Sequence, residues 1–213
     1  KYNFKKILKI KKNLELRIIG IGGSILGAKA IYDFLSVKKK ILFIDNLNSR
    51  YKLKKKNYLN LIISKSGNTL ETITNVNIIL SKKDKNIFIT ENKKSYLHEL
   101  AENLKSEIIH HNNFIGGRYS VLSEVGMLPA ELMGLKPNKF RQLNSLVKNK
   151  KFIDGLISNV SSILDFHRKK NFNSIVINYN PNFNNLIEWY KQLVSESLGK
   201  KGKGILPIIS NMP

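Results

Sequence analysis

Ile63-Ser64-Lys65-Ser66-Gly67-Asn68-Thr69-Leu70-Glu71-Thr72 places hydroxyl side chains and a glycine where an apolar run gives way to a helix. Leu61 to Ile63 read as the end of a buried strand, and Ile73, Val76, Ile79 and Leu80 recur at helical spacing on one face of the next stretch. At such a junction the first free backbone N–H groups of the helix point into the loop, backed by the positive end of the helix dipole. Ser64, Ser66, Thr69 and Thr72 each carry an O–H that can donate to a phosphate oxygen, and Gly67 lets the backbone approach closely. The stretch reads as a phosphate cradle. Ser and Thr before a helix also serve as plain caps that bind nothing, and the density of hydroxyls favours the anion site over that alternative.

Working outward, apolar runs near 14 to 19, 40 to 44, 59 to 63, 86 to 90 and 106 to 110 alternate with amphipathic stretches near 24 to 36, 69 to 82 and 94 to 105. This repeated βα pattern predicts an α/β fold, a parallel sheet flanked by helices on both faces. Such sheets bind ligands at the carboxyl ends of their strands. After 116 the texture turns helical, with Pro129, Gly134 and Pro137 predicted to break it. Helices are expected over 139–149 and 152–169. A strand at Ser174 to Asn178 and a helix from about 183 to 198 then restart the βα pattern.

The 213 residues suffice for one well-buried domain or one and a half. The chain begins at Lys1 and stops in the apolar run Ile208-Ile209-Ser210-Asn211-Met212-Pro213, so it reads as a piece of a longer chain. Without cysteine, neither a disulfide framework nor a thiolate metal site is available. No apolar run approaches the ~20 residues that span a bilayer, and the basic N-terminus lacks a secretory h-region, so a cytoplasmic protein with no membrane partner is expected. The formal charge of +22, with Lys5-Lys6, Lys11-Lys12, Lys38 to Lys40, Lys54 to Lys56 and Lys82-Lys83, invites a nucleic-acid reading. Joint enrichment in Lys, Asn and Ile is what AT-biased coding produces, and no basic helix with interleaved aromatics stands out. Nucleic acid is therefore not the expected partner; a cationic surface that attracts anionic metabolites is.

Three further motifs carry chemistry. Gly20-Ile21-Gly22-Gly23-Ser24-Ile25-Leu26-Gly27 suggests a dinucleotide fingerprint, but the spacing fails at Ile25, and only Asp45 offers an acidic residue after the next strand. What remains is a tight strand-to-helix turn whose amides and Ser24 hydroxyl suit a sugar hydroxyl or a phosphate, or serve packing alone. In Gly116-Gly117-Arg118-Tyr119-Ser120, paired glycines open space beside a guanidinium able to hold an anion or a developing oxyanion; a loop arginine is equally a surface charge. In Gln192-Leu193-Val194-Ser195-Glu196-Ser197-Leu198-Gly199-Lys200, Gln192 and Glu196 share a helix face, Leu186, Tyr190 and Leu193 form an apolar one, and Gly199 is placed to end the helix. A carboxylate at the negative end of the dipole is disfavoured in its ionised form, which suits a general base. By spacing alone Glu196 reads as a solvated helical residue.

Together these residues resemble the phosphoglucose isomerase family and its sugar isomerase (SIS) domains. The segments Gly20 to Gly27, Ser64 to Thr72, Gly116 to Ser123 and Gln192 to Lys200 occur in that family's order and spacing, and the resemblance runs from about Leu14 to Pro213. It implies a flavodoxin-like SIS sandwich over 1–138 with a trailing helical region, a helical connection over 139–170, and an incomplete second SIS domain over 171–213. It implies an aldose–ketose isomerase interconverting glucose 6-phosphate and fructose 6-phosphate through a cis-enediol. Phosphate would be held by Ser64, Lys65 through its backbone, Ser66, Thr69 and Thr72, with Gly23 and Ser24 lining the sugar pocket and Gln192 contacting substrate. Glu196 would move the proton between C2 and C1 and Arg118 would stabilise the enediolate. No metal or organic cofactor is implied, and the full-length protein would be a homodimer.

Two departures accompany the resemblance. Ile25 stands where the family has a polar residue. The family's ring-opening histidine, given across a dimer interface, and a C-terminal lysine would lie beyond Pro213; His98, His110, His111 and His167 do not match that histidine and read as structural or exposed. The chain alone would then form a partial, inactive site. A non-catalytic SIS-type sugar-phosphate sensor is the alternative, and it would need the hydroxyl loop but neither Glu196 nor Arg118. A related isomerase that also accepts mannose 6-phosphate is a third reading.

Overall fold

The computed structural model describes residues 2–11, 14–47, 57–81, 83–140, 142–169, 173–201 and 203–211. Lys12, Lys54 to Lys56, Lys82, Met212 and Pro213 lie outside the described residues. After helix α1 (Phe4–Lys11) come β1 (Glu15–Ile19), α2 (Leu26–Phe34), β2 (Ile41–Ile44), β3 (Tyr58–Ile63), α3 (Leu70–Ile79), β4 (Lys85–Glu91), α4 (Tyr96–Asn103) and β5 (Glu107–His111). The five strands form one parallel sheet in the order β2-β1-β3-β4-β5. This is the flavodoxin-like order, whose chain reverses direction of travel between β1 and β3. The glycine loop follows β1 and the hydroxyl loop follows β3, so both open at that switch point.

The central strand β3 is buried at every residue, which is why the sequence presents it as an unbroken apolar run. Its side chains alternate between faces: Leu59, Leu61 and Ile63 join Leu16, Ile18, Ile87, Ile89 and the helix α5 (Glu124–Met133), while Ile62 joins Ile19, Phe88, Val76, Ile79 and Leu97 under α3 and α4. An arginine sits inside this sheet. Arg17, 1% exposed, donates through Nε to Asn60 at 2.6 Å and through Nη2 to Asp84 at 2.8 Å, with its guanidinium 4.3 Å from the Tyr58 ring. Burial lowers the Arg17 pKa from its ordinary value, and Asp84 and Tyr58 oppose that shift.

Beyond the sheet the structure corrects two expectations. Pro129 does not break its helix but lies inside α5, whose residues from Val125 to Ala130 are all buried; packing of that many side chains outweighs one lost backbone hydrogen bond. The expected helix over 139–149 is two single turns, α6 (Pro137–Phe140) and α7 (Asn144–Val147). Pro137 begins α6, where its missing N–H costs nothing, and Asn149 accepts from Phe152 N–H at 3.2 Å to start a separate helix, α8 (Lys150–Arg168). Gly134 does end α5, at φ +97°.

A second, two-stranded parallel sheet pairs β6 (Asn173–Asn178) with β7 (Leu206–Asn211), joined through α9 (Asn184–Leu198). Helix α9 lies on α2: Phe183 stacks on Phe34 at 5.4 Å, Asn182 donates to Ser36 Oγ at 3.2 Å, and Asn185 donates to Asp33. That docking carries the far end of α9 to the edge of the large sheet where the two loops open. Among the described residues, no helix is long and apolar enough to cross a membrane.

Candidate functional site

The hydroxyl loop is not a plain helix cap. Thr69 stands at the N-cap of α3, yet its side chain makes no capping bond; its Oγ1 instead lies 2.9 Å from Ser64 Oγ. Leu70, Glu71 and Thr72 form the first turn, ahead of the first intrahelical bond from Ile73 N–H to Thr69 O at 3.0 Å. Ser66 Oγ accepts from Asn68 N–H at 3.2 Å. Thr72 is fully buried and its hydroxyl has no partner among the described residues. An orphaned buried hydroxyl costs about 1–3 kcal/mol, and here it sits in the turn whose amides face the loop.

The loop is gripped from β4 and α4. Gly67, at φ +68°, has Ser95 Oγ where a Cβ would go, and Thr90 Oγ1 2.9 Å from that point. Its carbonyl accepts from Leu97 N–H at 3.0 Å, and Asn68 Oδ1 accepts from Tyr96 N–H at 2.9 Å. The free amides at the start of α4 thus hold the loop in shape.

The glycine loop is a packing device on both sides. Gly22 adopts φ +54°, and a Cβ there would come 2.8 Å from Gln192 Nε2. Gly23 rests against the peptide between Gly117 and Arg118, within 2.6 Å of Arg118 N for a would-be Cβ, whereas Gly117 has open space beside it. Gly23 and Ser24, expected to line the sugar pocket, lie in a short 3-10 turn, and the Gly23 carbonyl accepts from Ser120 Oγ at 3.4 Å. Ile25 is fully buried in the core, which gives a packing reason for an apolar residue there. Asp45, the acidic residue after β2, pairs with Lys29 at 2.6 Å.

Arg118 meets Glu196 on α9, although 78 residues of chain separate the two. Gln192 Nε2 donates to Glu196 Oε1 at 2.7 Å, and Arg118 Nη1 donates to Glu196 Oε2 at 3.4 Å. Arg118 Nε donates to Ser197 Oγ at 2.9 Å, and Trp189 Nε1 donates to the Arg118 carbonyl at 3.2 Å. Tyr119 OH lies 2.6 Å from Ser197 Oγ, and that hydrogen bond, with help from Arg118, lowers the phenol pKa from its ordinary value. Gln192 Oε1 and Ser195 Oγ are buried without partners among the described residues. The arrangement holds a carboxylate, able to take a proton, beside a guanidinium, able to meet a developing negative charge. Gly199 ends α9 as expected but not in a left-handed conformation (φ −74°); a side chain there would strike the Ser195 carbonyl.

Ser197, Trp189 and Tyr119 join the site without having been singled out in the sequence. Trp189 and Glu196 are seven apart, two turns on one helix face, so spacing along α9 was the signal that could have found the tryptophan. Of the histidines, His111 is buried between Glu124 and the Ile115 carbonyl, and His98 stands 3.7 Å from Glu102. Among the described residues, no group of three or more His, Asp or Glu is placed to hold a metal ion.

The sequence model described as phosphoglucose isomerase matches residues 6–203, which include all four segments. The chain belongs to the phosphoglucose isomerase family. Within the family it is 36% identical to glucose-6-phosphate isomerase of Methanocaldococcus jannaschii over 213 aligned residues, covering 91% of this chain and 52% of that protein. It is 35% identical to glucose-6-phosphate isomerase of Acholeplasma laidlawii, covering 94% and 55%. The chain therefore spans about half the length of these curated relatives. In fold it is similar to a hypothetical protein of Thermus thermophilus, with TM-score 0.77 and 24% identity over 98% of this chain and 57% of that one. It is also similar to tagatose-6-phosphate ketose/aldose isomerase of Escherichia coli, with TM-score 0.63 and 16% identity over 98% and 59%. These structural likenesses show a shared fold, a parallel sheet wrapped by helices.

Proposed function

We propose that the chain is part of an aldose–ketose isomerase that interconverts glucose 6-phosphate and fructose 6-phosphate through a cis-enediol. The observation that carries this reading is the clamp on Glu196, whose two oxygens accept from Gln192 at 2.7 Å and Arg118 at 3.4 Å, at the sheet edge where the hydroxyl loop opens. Phosphate would rest on Ser64, Ser66, Thr69, Thr72 and the Lys65 amide; the unpartnered Thr72 hydroxyl supports an anion there. With the sugar opened, the Glu196 carboxylate takes the proton from C2 of the aldose. The C2–H electrons form C1=C2, and O1 takes up the negative charge beside Arg118. The O2 hydroxyl proton passes to O1, and Glu196 returns the carbon-bound proton to C1, which leaves O2 as the carbonyl of the ketose. Gln192, with a free Oε1, is placed to turn its amide from Glu196 toward a substrate hydroxyl.

The domain division proposed is a first SIS domain over 1–138, a helical connection over 139–170, and the beginning of a second SIS domain over 171–213. Bare apolar side chains on the small sheet, Ile175 at 68% and Leu206 at 53% exposure, support it, as does α8, none of whose residues is buried. A cytoplasmic homodimer completes the reading, by analogy with a family of sugar-phosphate enzymes.

The test is a coupled assay of fructose 6-phosphate conversion, made on the protein extended to the length of its relatives and on its Glu196→Gln variant. Turnover falling by about 10²–10⁴-fold with binding retained is expected of a lost base. Turnover unchanged in Glu196→Gln would remove Glu196 from the chemistry. Binding of fructose 6-phosphate with no turnover in the unsubstituted protein would leave the sensor reading.

A further inference from the structure

We propose that Lys65 and Glu91 form a latch tying the hydroxyl loop to the loop that carries Arg118, with Glu91 the positioning residue that sets the lysine. Its bearing on catalysis rests on the isomerase reading above.

Lys65 faces two ways. Its backbone carbonyl accepts from Glu91 N–H at 3.0 Å and from Thr90 Oγ1 at 3.3 Å, which seats it beside the end of β4. Its ammonium donates to the Asn113 carbonyl at 2.8 Å and stands 3.4 Å from Glu91 Oε1. A lysine in a phosphate-binding loop would ordinarily spend its charge on the phosphate. Here the charge is committed to the neighbouring loop.

Glu91 explains that commitment. It is 6% exposed, and its carboxylate is shared between Lys93 at 2.6 Å and Lys65. The Lys93 hydrogen bond leads in holding the Glu91 carboxyl below the usual carboxylate range, Lys65 adds to it, and burial opposes both. Among the described residues the cations facing Glu91 are these two, so an ionised carboxylate at the end of β4 fixes where the Lys65 ammonium points.

Apart from bonds within its own turns, the loop it reaches has few other anchors. Between the end of β5 and Arg118, the Ile115 carbonyl meets His111 Nε2 at 3.0 Å, and Gly23 backs the Gly117–Arg118 peptide. The Asn113 carbonyl lies five residues before Arg118 and is the point Lys65 holds. The hydroxyl loop itself does not need the ammonium, because Tyr96 and Leu97 amides already grip Asn68 and Gly67. The latch therefore acts on the Arg118 loop and leaves the cradle's shape to α4.

The test is amide hydrogen exchange, read by mass spectrometry over 66–72 and 112–118, in the chain as it stands and in its Lys65→Met, Lys65→Arg and Glu91→Gln variants. Loss of one solvent-exposed hydrogen bond should speed exchange over 112–118 by about three- to tenfold in Lys65→Met and Glu91→Gln. Exchange over 66–72 should hold, and Lys65→Arg, which keeps donor and charge, should restore the slow rate. Unchanged exchange over 112–118 in either the Met or the Gln variant overturns the latch, and so does equal acceleration over both segments. In the extended enzyme, Lys65→Met should lower kcat by about tenfold or more with KM within about twofold, because Arg118 placement and not ground-state binding is lost. A raised KM with kcat unchanged would assign the ammonium to phosphate and overturn the proposal. Absence of isomerase activity in the unsubstituted enzyme would refute the functional reading, while the exchange data would still decide the latch.

Discussion

Gly23→Ala puts the arrangement of the site to a stringent test, because the side chain it adds has nowhere to go. The new Cβ would lie 2.6 Å from Arg118 N and from Gly117 O, and closer still to Gly117 C. All three are backbone atoms, so no rotamer change relieves the overlap. Ordinary contact with a carbon is ~3.5 Å, and the Gly117 carbon lies 2.4 Å from the new Cβ, so the two loops must part by about 1.1 Å. Overpacking of this kind costs about 1–3 kcal/mol of stability. The functional effect should be larger. Arg118 Nη1 already reaches Glu196 Oε2 at 3.4 Å, and a retreat of the Arg118 loop takes that contact beyond hydrogen-bonding range. A misplacement of ~1 Å in a catalytic group can cost about 10²-fold in rate, so kcat for fructose 6-phosphate should fall by about that factor in the extended enzyme. Thermal denaturation followed by circular dichroism gives the stability half of the measurement on the same preparation. A variant that keeps kcat within about twofold would show that the Gly23 contact does not set Arg118, and the packing argument would fail.

Thr72→Val should stabilise the ligand-free protein, by up to about the 1–3 kcal/mol charged to an unsatisfied buried hydroxyl, while weakening affinity for fructose 6-phosphate; urea denaturation and calorimetric titration read the two signs, and movement of both in one direction would contradict the site. Asp84→Ala leaves the Arg17 guanidinium buried without its carboxylate and should cost about 3–5 kcal/mol in a urea melt; a loss under about 1 kcal/mol would mean that Arg17 escapes to solvent. Burial alone would raise the Glu124 carboxyl, but the hydrogen bond from His111, the helix-start backbone and the His111 charge together hold it below its ordinary value. The stabilisation from Glu124 should therefore be complete above the ordinary glutamate pKa of ~4.3 and disappear as pH falls through its lower folded value. The stability difference between the protein and Glu124→Gln should accordingly shrink in acid, and a gap that widens there would reverse the assignment.

The sheet was legible because its inner strands are buried on both faces and so appear as plain apolar runs; the expected 59 to 63 became Tyr58–Ile63, and the expected 106 to 110, an edge strand, became Glu107–His111. The flavodoxin-like sandwich was reached through the family resemblance, and the strand order came from the structure, since periodicity alone says nothing about which strands are neighbours. Arg17 was invisible as a core residue. Its partners lie 43 and 67 residues away, and a charged residue in a short apolar strand gives no local sign of which way it points. Pro129 misled because breaking propensity is a local quantity and the packing of α5 is not. At the site, the carboxylate and the glutamine shared a face as spacing required, and the hydroxyl loop folded at a strand-to-helix turn as its residues indicated. What spacing could not give was the third dimension: that Ser197 would meet Arg118, that Trp189 would hold the arginine's carbonyl, and that Gly23 would be squeezed against a loop 94 residues further along. The roles of these residues are proposals for experiment.

Helix α9 is held at one end by Phe34 and Ser36 and carries Glu196 near the other. At 1.5 Å per residue, the thirteen residues from Phe183 to Glu196 make an arm of about 20 Å. A pivot of only ~5° about the Phe183 end would swing the carboxylate by about 1.7 Å over that arm. That is more than enough to part it from Arg118. The stiffness of a surface far from the reacting atoms, where two aromatic rings and an asparagine meet α2, thus becomes a tolerance specification for the site. Side chains that never approach substrate would be selected for angular rigidity.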